Sequence, residues 1–349
     1  MIKTKLKKPI PNKLLISNFS LFKGKRILIT GAAGSIGSEI SIQIAKLNPE
    51  KLIILDSGET EIFYHELRLR ELFPSLNLVV KITDVKDSRA INGILKEHQP
   101  EIIFHAAAYK HISMMENNPR EAVLNNIYGT KVLAQAAKKN KVKKFIFIST
   151  DKAADPISVM GSSKKIAEMY LNEIPNKPTV FIIVRFGNVL GSRGSVVPIF
   201  EEQIKNGGPI TITDPDMKRF FMTIPEAVFL VLQAAKIGKN NDIFILDMGK
   251  QIKIVTLANK MIKAFGKKPE QDIKISFVGK RPGEKIEEQL ISINETTKKT
   301  SVKSLLKITS RNKHQIKIKE IDELIDFASK NYNDKKVKEK LFSLLNINI

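Results

Sequence analysis

The 349-residue sequence contains no cysteine. That excludes a disulfide-stapled scaffold, a cysteine nucleophile and a zinc–cysteine centre together. Only five histidines are present, so a metal centre is not expected. Acidic residues are scarce beside basic ones: 36 Asp and Glu against 58 Lys and Arg leave a formal charge of +22. Such a balance favours anionic partners, although a lysine-rich coding bias produces the same figure. No run approaches the roughly 18 uncharged apolar residues of a membrane span. The N-terminus also lacks the long apolar core and small-residue cleavage site of a signal peptide, so a cytoplasmic location is expected.

The shortage of acids is sharpest at the start, where residues 1–26 hold eight Lys or Arg and no Asp or Glu. Residues 1–22 read as a basic tail. Its charge suits peripheral contact with an anionic membrane, and suits plain solvation equally well.

From Arg26 onward a regular pattern begins. Six short apolar runs stand at 26–30, 51–56, 78–84, 101–107, 143–150 and 179–186, with helix-like segments between them. Continuous apolar strands alternating with helices predict an α/β fold with a doubly wound parallel sheet, here spanning residues 23–186. Beyond Phe186 the texture changes, with Gly, Pro and Ser clustered through 187–198 and 206–216. Residues 187–349 read as a smaller substrate-binding lobe at the carboxyl ends of the strands, with some elements returning to the first domain. The Lys-rich stretch from about 315 is expected to be helical.

GAAGSIG (31–37) follows the first strand and opens a helix. Gly31 permits the tight turn, Gly34 leaves room for a pyrophosphate, and Gly37 lets the helix pack on the strand; Ser35 and Ile36 lie between them at the helix start. Asp56 ends the second strand, where a carboxylate can accept from an adenosine ribose and would repel a 2′-phosphate. NAD is therefore expected over NADP. Asp84, ending the third run, could meet the adenine or cap a helix. Ala106, near the end of the fourth run, is a further cofactor-binding candidate.

The GxxGxxG spacing resembles the short-chain dehydrogenase/reductase superfamily, and HAAAYKH (105–111) and LNNIYGT (124–130) strengthen the likeness. That superfamily places a tyrosine four residues before a lysine. Here Lys164 is in place, but the tyrosine position is Met160, which cannot accept a proton. Thr150, Asp151 and Lys152, at the end of the fifth run, offer an alternative acid–base pair.

Taken together, GKRILITGAAGSIGSEI, HAAAYKH, STDKAADPISVMGSSK, FGNVLGSRGSVVPIF, RFFMTIPEA and RPGEK resemble one branch of the extended short-chain dehydrogenases. This is the polysaccharide-biosynthesis family of UDP-N-acetylglucosamine 4,6-dehydratases, in its methionine-bearing form. Large members carry transmembrane helices before this domain, which the present sequence does not show.

The resemblance implies a redox-neutral reaction. Hydride leaves C4 of the hexose for NAD, the ketone acidifies the C5 proton, water departs from C6, and the hydride returns to C6. It further implies that Lys152 takes the C5 proton, that Asp151 protonates the departing oxygen, and that Thr150 and Lys164 assist at O4. Lys152 would need a lowered pKa for this role, and burial and the charge of Lys164 are expected to supply it. Lys110, His111, Asn188, Arg193, Arg219, Arg281 and Glu284 lie in segments expected to surround the UDP moiety, where guanidinium forks suit a diphosphate. The expected partners are a UDP-sugar and further copies of the chain, without nucleic acid. A UDP-sugar 4-epimerase and a non-catalytic NAD-binding scaffold are the rival readings.

Overall fold

A computed structural model describes residues 19–175, 177–310 and 316–347. All six apolar runs form strands: β1 (Arg26–Thr30), β2 (Lys51–Asp56), β3 (Leu78–Ile82), β4 (Ile102–His105), β5 (Lys144–Ile148) and β6 (Val180–Arg185). Apart from β3, their central residues are buried, as the unbroken apolar runs require of a sheet covered on both faces.

The sheet has nine strands. From one edge the order is β3, β2, β1, β4, β5, β6, then Asp242–Leu246, Leu305–Ser310 and Glu295–Lys299. The first seven are parallel, and the last two form an antiparallel hairpin at the far edge. The chain runs outward from β1 to β3 and then crosses back to β4. Between β1 and β4 the strand order reverses, and such a switch point opens a crevice at the carboxyl ends of the strands.

Two hydrophobic cores cover the two faces. One lies beneath the helices Ser88–His98, Gly129–Lys139 and Val159–Glu173, and the C-terminal helices Ile318–Lys330 and Asp334–Ser343 complete it through Ile321, Leu324, Val337 and Leu341. The other lies beneath Ser35–Ala45, Glu59–Leu72 and Ile224–Ile237. A third, smaller core centred on Phe200, Ile210, Met217, Leu257 and Met261 belongs to the part beyond β6. No helix among the described residues is long and apolar enough to cross a membrane.

The basic tail falls mostly outside the described residues, which begin at Phe19. Its expected end at residue 22 needs correction. Phe19 and Phe22 are buried in the second core, Phe22 with its ring 6.0 Å from that of Phe104 and Phe19 with its ring 5.7 Å from that of Phe229. Two aromatic side chains that can reach a core are driven into it however basic the segment before them.

Candidate active site

The glycine turn is built as its spacing suggests. Gly31 has φ +64°, and a Cβ there would stand 2.5 Å from the Ala107 nitrogen, so the first strand's turn lies against the backbone beyond β4. A Cβ on Gly37 would come 2.1 Å from the Gly31 carbonyl oxygen, so this glycine lets the helix close onto the turn itself rather than onto the strand. Gly34 is the residue preceding the helix, and no side chain caps the first turn. The N–H groups there face a crevice with the positive end of the helix dipole behind them.

Two adjoining clefts meet at the switch point. The smaller, of about 150 Å³, is lined by Gly31, Asp56, Asp84, Ala106 and Asn125, among others. The Asp56 carboxylate accepts from the N–H groups of Ala33 (2.9 Å) and Gly58 (3.1 Å), which fix it at the cleft wall. Asp84 accepts from Lys86 N–H at 2.8 Å, and the helix that follows is capped by Asp87 instead. The capping alternative for Asp84 is thereby corrected, while its place beside the cleft remains.

The larger cleft has a volume of about 520 Å³. Ser35, Ile36, Gly37 and Ala106 line its end beside the glycine turn, and Thr150, Lys152, Met160 and Lys164 line its middle. Lys110, His111, Asn188, Arg193, Arg219, Arg281 and Glu284 all line it too, although they come from four separate stretches of chain. The Ser35 hydroxyl accepts from the Arg193 N–H at 3.0 Å, and the Lys110 ammonium donates to the Arg193 carbonyl at 2.8 Å. These bonds tie the loop after β6 over the helix start. Burial and the Arg193 charge hold the Lys110 pKa below its usual value; burial and Lys110 do the same to His111.

Beyond the end of β5 the chain makes one 3₁₀ turn, Asp151–Ala153, capped by the Thr150 hydroxyl, which accepts from Lys152 N–H. Thr150 also donates to Asp151 Oδ1 at 2.9 Å, and the Lys152 ammonium donates to the same oxygen at 3.0 Å and to Asn188 Oδ1 at 3.2 Å. Asp151 itself is buried behind the cleft wall, with Oδ2 lacking a hydrogen-bond partner among the described residues.

The expected lowering of the Lys152 pKa is not found. Burial does pull it down, but the carboxylates of Asp151 and Glu288 outweigh burial and hold it above the ordinary lysine value. Of Lys152 and Lys164, it is Lys164 that burial lowers, to about 7, against an opposing pull from Glu168. Met160 and Lys164 lie on the same face of the helix Val159–Glu173, as their spacing of four predicts.

Two groups of residues around this site escaped sequence reasoning. Glu288 stands 3.4 Å from the Lys152 ammonium. Its only sequence signal is its place just beyond RPGEK. Behind the segment Thr150–Lys152, the fully buried Arg185 at the end of β6 donates to Glu168 (2.8 and 2.6 Å) and Glu295 (2.8 and 3.1 Å), and the Ser149 hydroxyl donates to Glu168 at 2.5 Å. A charged residue ending an apolar strand was the available hint for Arg185.

A doubly wound sheet with a glycine turn at its switch point, and a lysine-bearing helix after the fifth strand, defines an extended short-chain dehydrogenase architecture. The chain belongs to the polysaccharide biosynthesis protein family, whose model matches residues 27–310. It is 46% identical over 325 residues to the capsular polysaccharide biosynthesis protein CapD of Staphylococcus aureus, covering 92% of this chain and 53% of that protein. The chain thus spans about half the length of that relative. It is 34% identical over 343 residues to the UDP-glucose 4-epimerase of Rickettsia prowazekii, covering 93% of this chain and 97% of that one. Among solved structures, Pen from Bacillus thuringiensis is similar with a TM-score of 0.75 and 36% identity, over 85% of this chain and 90% of the other.

Proposed function

We propose that the chain is a nucleotide-sugar 4,6-dehydratase. It takes UDP-N-acetylglucosamine, or a close UDP-N-acetyl-hexosamine, to the 4-keto-6-deoxy sugar for surface polysaccharide synthesis, with NAD as resident cofactor. The observation that carries the reading is the Asp151–Lys152 pair, joined at 3.0 Å at the end of β5, with Lys152 lining an arginine-lined cleft and Asp151 directly behind it.

The residues present fit NAD. The Gly31 cradle leaves no room for a side chain, the uncapped helix start suits a pyrophosphate, and Asp56 stands where a 2′-phosphate would be repelled. When bound, the cofactor supplies the hydride transfer that makes the overall reaction redox-neutral. Lys164, which lines the cleft, would hold the nicotinamide ribose hydroxyls. With methionine at position 160, the O4 proton must pass to Thr150, Asp151 or water.

Dehydration needs a base at C5 and an acid at C6. Lys152 is the member of the pair that lines the cleft, and Asp151, hydrogen-bonded behind it, is the group with which it exchanges a proton, so that the pair can act as base or as acid. Passing the proton from Lys152 to Asp151 along their hydrogen bond gives the assignment that the sequence suggested, a neutral lysine as the base and Asp151 as the acid. Either way one pair serves both tasks, which a 4-epimerase does not require. Arg193, Arg219 and Arg281 are suited to the diphosphate.

The second reading is a UDP-sugar 4-epimerase, favoured by the similarity to the Rickettsia enzyme along nearly its whole length. Proton NMR of the product formed from UDP-N-acetylglucosamine in deuterated water separates the two. The dehydratase is expected to give a C6 methyl group with solvent deuterium at C5, and a product absorbing in strong alkali. A C4 epimer that retains its C6 hydroxyl would overturn it.

A further inference from the structure

Glu288 has no part in the chemistry above, yet it is 2% exposed and faces the catalytic lysine. It reaches the site from the stretch following RPGEK, and that stretch is pinned. The Lys218 N–H donates to the Ile286 carbonyl at 2.9 Å, an Arg219 guanidinium N–H donates to the same carbonyl at 3.0 Å, and the Gln251 amide donates to the Glu288 carbonyl at 2.9 Å. Its side chain therefore starts from a fixed point.

Glu288 Oε1 lies 3.4 Å from Lys152 Nζ and 3.8 Å from Arg219 Nε, and Oε2 is buried without a hydrogen-bond partner among the described residues. Lys152 Nζ thus meets oxygens from three separate segments: Asp151, Asn188 and Glu288. The charged groups facing it are the two carboxylates and, opposing them, Arg219. Two carboxylates, Asp151 and Glu288, thus face two cations, Lys152 and Arg219, and Glu288 lies between the two cations. A buried carboxylate with one oxygen unpartnered is costly to place there.

We propose that Glu288 is a positioning residue, which holds the Lys152 ammonium in line with Asp151 and governs when that lysine gives up its proton. It does not line the cleft, so it acts through Lys152 rather than on the sugar. Its role in turnover rests on the dehydratase reading, whereas its hold on Lys152 does not. An opposite charge within about 4–6 Å commonly moves a pKa by roughly 1–3 units, so removing it should free the lysine to titrate earlier.

The test titrates ¹³C-labelled lysine side chains by NMR in the full chain, with Lys152→Arg assigning the resonance, and compares wild type with Glu288→Gln. The Lys152 titration is expected to move down by about one pH unit or more. The pH profile of kcat should follow it, with KM for UDP-N-acetylglucosamine within about twofold of wild type. Should Glu288→Gln not fold, Glu288→Asp is used; withdrawing the carboxylate by one methylene should shift the titration the same way by less. A Lys152 titration that stays at its wild-type position overturns the proposal. A shifted titration in an enzyme that makes no 4-keto-6-deoxy product upholds it and sinks the dehydratase reading instead.

Discussion

The Lys164 ammonium stands 3.8 Å from the centre of the Phe147 ring, buried at the inner end of the cleft. An aromatic face only partly replaces the water that a lysine loses on burial, and this is why its pKa falls to about 7.

Stability should therefore vary with pH in a defined direction. The Lys164 pKa is lowered on folding from 10.5 to about 7. Between those values the unfolded chain holds a proton that the folded one does not, so stability rises with pH across that window, by at most about 1.4 kcal/mol per pH unit. Below the folded value both states are protonated and the cost of burying the charge is fully felt. Lys164→Met removes this contribution. Urea midpoints of cofactor-free protein at pH 7 and 9 should show wild type gaining on the variant; parallel changes in the two would refute the burial argument.

Asp151→Asn and Lys152→Ala are each expected to lower dehydration by roughly 100-fold or more, the usual contribution of a positioned acid or base. Bound dinucleotide should be retained, because neither side chain belongs to the glycine turn. Near-native rates in both variants would show that the acid and base lie elsewhere.

Asp56 should make the cofactor NAD. Denatured protein is expected to release NAD(H), identified by chromatography, and predominant NADP(H) would defeat the assignment. Gly31→Ala should release the cofactor and destabilise the fold, since the new Cβ meets backbone at a positive φ.

Arg185→Met should cost about 3–5 kcal/mol, because it leaves Glu168 and Glu295 buried without their cation. Arg185→Lys should not restore stability, since a lysine cannot make the two forked contacts. Denaturant unfolding measures both.

Removing residues 1–17, which include five lysines, should leave the melting temperature and turnover of soluble substrate unchanged. Co-sedimentation with anionic vesicles should weaken, on the scale of about 1 kcal/mol per basic residue. Equal vesicle binding by both forms would remove any membrane role from the tail. Phe22→Ala, by contrast, should cost about 3–5 kcal/mol, because that side chain is core.

Much of this architecture was legible in the order of residues along the chain. The six strands, the glycine turn, the carboxylate ending β2, and Lys164 one turn beyond Met160 all depend on neighbours within a few positions. Apolar runs bounded by turns, and spacings of three or four, carry that information without a fold. The seven candidate substrate residues were found through motifs, and the sheet then brought their separate stretches to one cleft.

Which charges are buried, and against what, was decided by the tertiary structure. Glu287 and Glu288 are adjacent and chemically identical, yet Glu287 pairs with Lys218 at the surface while Glu288 is enclosed beside Lys152. After Asp151, Glu288 is the second carboxylate that raises the Lys152 pKa, and Glu287 has no part in it. Phe19 and Phe22 joined the core although the segment before them is basic. In each case the deciding neighbours are far away in sequence. Electrostatic and packing energies depend on distance and solvent exclusion in space, and the order of residues alone does not specify either.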